Sequence, residues 1–197
     1  MAKLYFNYAA MNAGKSTSLL QASFNYRERG MQTFEFTAAI DNRDLPGSIS
    51  SRIGLSQSAH LFSAETDLFE VIQSEVQSTS IDCIFLDEAQ FLKEEQVIQL
   101  TKIVDMLKIP VICYGLRTDF CGKLFEGSAN LLALADIIRE LKTICHCGAK
   151  ATMNLRIDLD GNTITTGEKI AIGGNDMYTA LCRKHFFEKF GYPPENP

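Results

Sequence analysis

Apolar positions along the chain fall into short continuous runs separated by stretches with helical spacing. Residues 4–8 (Leu-Tyr-Phe-Asn-Tyr), 81–86 (Ile-Asp-Cys-Ile-Phe-Leu) and 109–115 are near-continuous apolar runs. Such runs belong to strands covered on both faces, the signature of a parallel sheet. Residues 32–38 alternate polar and apolar, the two-residue period of a further strand. Between them, residues 16–29 read as a helix, with Arg27 and Arg29 in its last turn and Gly30 as its cap. Residues 67–77 read as a second helix, and 93–107 as a third with Val97, Leu100, Val104 and Leu107 on one face. Residues 41–58, rich in Ser, Gly, Asn and Asp, are predicted to form a long loop. This alternation predicts an α/β fold with a mostly parallel, doubly wound sheet that binds its ligand at the carboxyl ends of the strands.

After about residue 141 the pattern changes. Short strand-like pieces, an Asp160-Gly161 turn and glycines at 167, 173 and 174 predict a small β-rich appendage. The expected organisation is a main domain over 1–141, the appendage over 142–190 and a frayed tail over 191–197.

A length of 197 residues with 46% hydrophobic and 22% charged positions is enough for one real core and is not the composition of a disordered chain. The net charge of −5 argues against a nucleic-acid groove, which needs surplus Lys and Arg to displace counterions. No run approaches the ~20 apolar residues of a membrane span, so no membrane partner is expected. Met1-Ala2-Lys3 leads directly into a strand without a secretory cleavage pattern, so the cytoplasm is the expected compartment and the six cysteines are read as reduced.

The chemistry begins at Ala9-Ala10-Met11-Asn12-Ala13-Gly14-Lys15-Ser16, a phosphate-binding loop between the first strand and the first helix. Backbone N–H groups there are expected to curl around a nucleotide polyphosphate at the positive end of the helix dipole. Lys15 is expected to reach the β- and γ-phosphates, and the Ser16 hydroxyl to sit on Mg²⁺. Ala9 stands where the usual pattern has a glycine, a substitution costing about 1–2 kcal/mol if the turn needs a left-handed residue. The second motif, Asp87-Glu88-Ala89-Gln90-Phe91, follows the apolar strand 81–86. Asp87 is expected to help hold Mg²⁺, making the fold one of the phosphate-loop, RecA-like kind. If the strand persists to Glu88, the two carboxylates face opposite ways, and Glu88 can take a proton from an attacking hydroxyl.

The appendage carries Cys145-His146-Cys147 near its start and Cys182-Arg183-Lys184-His185 near its end. Cys145, Cys147, Cys182 and His185 form a candidate structural Zn²⁺ site, with His146 as a substitute ligand. Ordinary buried thiols are the alternative. Cys83 and Cys113 lie in apolar strands and read as core, and Cys121 has no assigned role. Arg43 and Arg52, in the long loop, are candidates to neutralise transferring phosphate.

Taken in order, 11–16, 87–91, Tyr114-Gly115-Leu116-Arg117-Thr118-Asp119-Phe120, Ile172-Gly173-Gly174-Asn175-Asp176-Met177-Tyr178 and Cys182-x-x-His185 closely resemble the zinc-containing thymidine kinases of bacteria and the animal cytosol. The resemblance spans residues 3–187. It implies transfer of the γ-phosphate of ATP to the 5′-hydroxyl of thymidine, with Glu88 as general base and Ala89 and Gln90 beside the nucleotide. It also implies that Phe120 lies against thymine and that Lys169, Ile170, Ala171, Ile172 and Gly173 close over the base. Phe91, Leu116 and Tyr178 complete that pocket. Members are tetramers inhibited by thymidine triphosphate, and both properties carry over as expectations. Departures are Ala9, the tight Cys-x-Cys, His185 where some members carry cysteine, and Arg117 where many carry aspartate. Read without the resemblance, Phe120 and Tyr178 are equally core residues or base-stacking surfaces. A DNA-dependent ATPase and a nucleic-acid-binding zinc ribbon are the rival functions, and the acidic charge and lack of a basic stripe count against both.

Overall fold

The computed structural model describes residues 1–40, 47–167 and 177–192. Strand β1 (Leu4–Ala9) leads through the phosphate loop into helix α1 (Lys15–Glu28) and returns as β2 (Thr33–Ala38). A hairpin of β3 (Ser48–Ser50) and β4 (Ser56–Ser58) precedes β5 (His60–Phe62), α2 (Leu68–Glu75) and β6 (Cys83–Leu86). Then come α3 (Glu94–Lys102), β7 (Val111–Leu116), α4 (Glu126–Leu134) and β8 (Ile137–Glu140). The remainder is β9 (Thr143–Ile144), β10 (Lys150–Ala151), β11 (Met153–Arg156), β12 (Tyr178–Leu181) and α5 (Arg183–Phe190).

Six strands form one sheet in the order β5-β2-β6-β7-β1-β8, every pair parallel. The continuous apolar runs have the expected cause. In β6, Ile84 and Leu86 face the cluster covered by α2, α3 and α4, whereas Cys83 and Phe85 face Leu19 and Leu20 of α1. Both faces are dry, so neither can be polar. Helix α1 stops as its sequence predicts. Gly30 adopts φ +77° and donates to the Arg27 carbonyl (2.9 Å), while Met31 donates to that of Tyr26 (3.1 Å), the paired bonds of a Schellman ending.

Two expectations need correction. The stretch 41–58 is not all loop: β3 and β4 pair antiparallel because Ile49 finds apolar cover on Leu19 and Leu20. Residues 41–46, with Arg43, lie outside the described residues, and Arg52 is exposed between β3 and β4. Residues 93–107 are not one α-helix either. Helix α3 widens into a π turn at Ile103–Leu107, which buries Ile103 beside Val104 and closes with Lys108 left-handed at φ +61°.

The chain beyond β8 builds two small antiparallel pairs, β9 with β10 and β11 with β12. These pack with α5 around Cys145, Ala151, Met153, Leu155, Leu181 and Phe186.

Candidate functional site

The register of the sheet sets Ala9 at the end of β1 beside Leu116 at the end of β7, with the end of β6 on the far side of β7. The phosphate loop and the Asp87-Glu88 segment therefore leave from the same edge. Ala9 is buried and still in strand conformation, so its Cβ costs nothing. The left-handed positions of the loop are Asn12 (φ +64°) and Gly14 (φ +73°), residue types that tolerate it. Not every N–H in the loop points at a common centre. That of Met11 donates to Asn154 Oδ1 of β11 at 2.8 Å, and Lys15 Nζ donates to the Ala10 carbonyl at 3.2 Å.

Ser16 Oγ donates to Asp87 Oδ2 at 2.8 Å, bringing the two motifs together across 71 residues of sequence. Asp87 is buried; burial and the neighbouring Glu88 charge push its carboxyl up to about 7, partly offset by the bonds from Ser16 and the Glu88 N–H. A hydroxyl and a buried carboxylate facing one point make a donor set that suits a hard divalent cation.

Glu88 does not continue the strand. Its backbone is left-handed at φ +55°, so a turn, and not the alternation of a pleat, separates its carboxylate from that of Asp87. The turn continues through a short 3₁₀ segment, Ala89–Phe91, whose Gln90 is buried. Gln90 Nε2 donates to Glu88 Oε2, and Gln90 Oε1 accepts the Leu116 N–H at 2.9 Å. Gly115 is required beneath this contact, since a Cβ there would lie 2.9 Å from Gln90 Oε1.

Leu116 ends β7 and Phe91 packs edge-on against Phe125, ring centres 5.9 Å apart. Phe120 is buried, with the Arg156 guanidinium 5.4 Å from its ring centre. Its turn is fixed by Asp119, whose Oδ1 accepts the N–H groups of Cys121 and Lys123, both at 2.9 Å. Tyr178 is half-buried in β12, opposite Arg156. Lys169, Ile170, Ala171, Ile172 and Gly173 lie outside the described residues. Sequence reasoning gave no role to Asn154, Asp119 or Gly115. A polar residue in the apolar run of β11 was the one available sign of Asn154.

In the appendage, Cys145, Cys147, Cys182 and His185 bring one ligand atom each within 4.8 Å of all the others. His185 Nδ1 lies 3.4 Å from both Cys145 Sγ and Cys182 Sγ, and the Cys147 and Cys182 sulfurs are 4.0 Å apart. Tetrahedral Zn²⁺ with ordinary Zn–S and Zn–N bonds has ligand–ligand edges of about 3.5–3.8 Å, so the quartet has the size of a zinc site. The close Cys-x-Cys is accommodated by a turn in which Gly148, at φ +82°, donates to the Cys145 carbonyl. Burial opposes charge on the Cys145 thiol, but N–H groups of Cys147 and Cys182 and the His185 ring outweigh it and bring it down to about 6. His146 stacks on His185 (centroids 4.3 Å apart) and is not part of the quartet. His185 Nε2, the ring nitrogen turned from the sulfurs, lies 3.6 Å from Glu188 Oε2.

The family profile described as thymidine kinase matches residues 2–186. The thymidine kinase of Vibrio cholerae serotype O1 is 60% identical over 191 residues, covering 97% of this chain and 100% of that one. That of Novosphingobium aromaticivorans is 59% identical over 191 residues, with the same coverage of 97% and 100%. That of Yersinia pestis is 59% identical over 188 residues, covering 95% and 96%. Among solved structures, an ATPase domain superimposes with a TM-score of 0.47 at 14% identity, covering 70% of this chain and 68% of the other.

Proposed function

This chain belongs to the thymidine kinase family, and on that premise we propose how its residues divide the transfer of the ATP γ-phosphate to the 5′-hydroxyl of thymidine. The phosphate loop, Ala9, Ala10, Met11, Asn12, Ala13 and Gly14, cradles the triphosphate, with Lys15 drawn from the Ala10 carbonyl to the β- and γ-phosphates. Ser16 and Asp87 would hold Mg²⁺, which would offset the charge of the phosphate oxygens. Glu88 takes the 5′-hydroxyl proton as that oxygen attacks phosphorus and the bond to the ADP oxygen breaks.

One observation carries this division: Ser16 binds Asp87, while the adjacent Glu88 stands on a left-handed turn and its Oε2 accepts from Gln90 instead. Two neighbouring acids thereby receive separate tasks. Phe91, Leu116, Phe120 and Tyr178 form the walls of the thymine pocket, and 169–173 the segment that covers it. Zn²⁺ on Cys145, Cys147, Cys182 and His185 is structural, since four protein ligands leave no position for a reactant. No described helix is long and apolar enough to cross a membrane; a cytoplasmic tetramer restrained by thymidine triphosphate, without a nucleic-acid partner, completes the reading.

The test is Glu88→Gln, assayed with radiolabelled ATP on thymidine and the other three deoxynucleosides. Turnover is expected to fall by roughly 10²–10⁴ while the KM for ATP changes little. Near-normal turnover on thymidine in that variant removes Glu88 from the proton transfer.

A further inference from the structure

We infer that Gln90 is a positioning residue for phosphoryl transfer, restraining the Glu88 carboxylate through its Oε2, and is not a ligand of the nucleotide. This rests on the reading of Glu88 given above. A primary amide has one accepting and one donating end. The Leu116 N–H can only donate, and it lies 2.9 Å from Gln90 Oε1, so the oxygen must stay on that side. The amide NH₂ is then forced toward Glu88, where it donates to Oε2. Through Oε2 the amide restrains the Glu88 carboxylate, and with it the group that takes the acceptor's proton.

The surroundings keep Gln90 from turning away. It is 2% exposed. A Cβ on Gly115 would come within 2.9 Å of its Oε1 and 3.0 Å of its backbone nitrogen. On the other side, a Cβ on Gly127 of α4 would meet the Ala89 carbonyl at 2.5 Å. The turn bearing Glu88 and Gln90 is thus clamped between β7 and α4 at two positions where an added Cβ would press on it. Both ends of the amide are committed to protein partners, one of them the carboxylate that carries the chemistry.

Gln90→Glu separates the possibilities because it keeps the size and the acceptor for Leu116 while removing the donor to Glu88. The expected result is a fall in kcat of about 10- to 100-fold, the scale of a misplaced reacting group, with the KM values for ATP and thymidine within about threefold. Unchanged kcat, or a raised KM for ATP with kcat retained, would overturn the inference. Gly115→Ala crowds the same amide without altering it and is expected to show the same split, which covers the case of a poorly folding Gln90→Glu protein. Introduced into Glu88→Gln, Gln90→Glu should lower turnover no further; an undiminished additional loss would show that Gln90 acts independently and sink the proposal. If Glu88→Gln alone retains turnover, the failure lies with the general base and not with its orientation.

Discussion

The sheet and the appendage hold their shapes by different physics. The sheet buries Phe6, Phe36, Phe62 and Phe85 essentially completely, and its two faces form separate apolar clusters. The appendage has strands of two to four residues and a six-residue apolar cluster, one member of which is itself the metal-ligand candidate Cys145. Hydrophobic stabilisation grows with buried area, at roughly 25 cal/mol per Å². A piece this small must draw stability from another source, and the Cys and His quartet is placed to supply it. The difference teaches that loss of apolar packing and loss of metal should damage the two halves selectively.

The largest effect should follow metal removal. Chelation, or Cys182→Ser, withdraws binding energy on the order of 10 kcal/mol and is expected to unfold the appendage while the sheet keeps most of its circular dichroism. A Cys182→Ser protein with full metal content and an unchanged melting profile would break the comparison. Next is Phe85→Ala, which empties a site packed edge-on against Tyr26 (5.7 Å between ring centres). It should lower sheet stability by about 3–5 kcal/mol in urea titrations, with metal content per folded molecule unaltered.

A smaller effect probes the seam between the halves. Asn154→Ala strands the Met11 N–H and is expected to cost about 1–3 kcal/mol, with a raised KM for ATP. An unaltered KM would mean that the two regions meet without consequence for the loop. The last effect is absent at neutral pH and confined to alkaline solution. Burial, together with Glu35 and Asp82, raises the Cys83 thiol to about 12, against an ordinary 9, despite a Tyr26 contact. Between these values the unfolded chain binds fewer protons than the folded one, so stability falls as pH rises through 9 toward 12. Cys83→Ala should flatten that limb of a stability–pH curve; an identical slope would remove the thiol as its cause.

Strands β1, β6 and β7 were legible as continuous apolar runs, β2 from its alternation and α1 from its ending on Gly30, whereas β5 and β8 carried no such pattern. Helix α4 was not legible, because it packs through Gly127, Ser128 and Leu131, and one fully buried leucine makes no apolar stripe. The backbone of α4 approaches the Ala89 carbonyl so closely that a side chain would collide, and a hydropathy pattern cannot register a missing side chain. In β8, Arg139 and Glu140 break the apolar run, as befits the outermost strand beside β1. At the site, the residue types were readable and their orientations were not. The pairing of Ser16 with Asp87 follows from the motifs, whereas the left-handed turn at Glu88 and the amide that braces it depend on Gly115, Leu116 and Gly127. The metal quartet, His185 included, was readable from the spacing of its cysteines and histidine, and the fold brings the four ligand atoms within 4.8 Å of one another.

The bond from Met11 to Asn154 joins positions 143 residues apart. A ribosome that has released the chain only through β8 has delivered all six parallel strands and both nucleotide motifs, yet not the partner that braces the loop at Met11. The brace on the loop at Met11 is therefore set only after the whole sheet has been synthesised, and a fragment ending at β8 would carry both motifs without it.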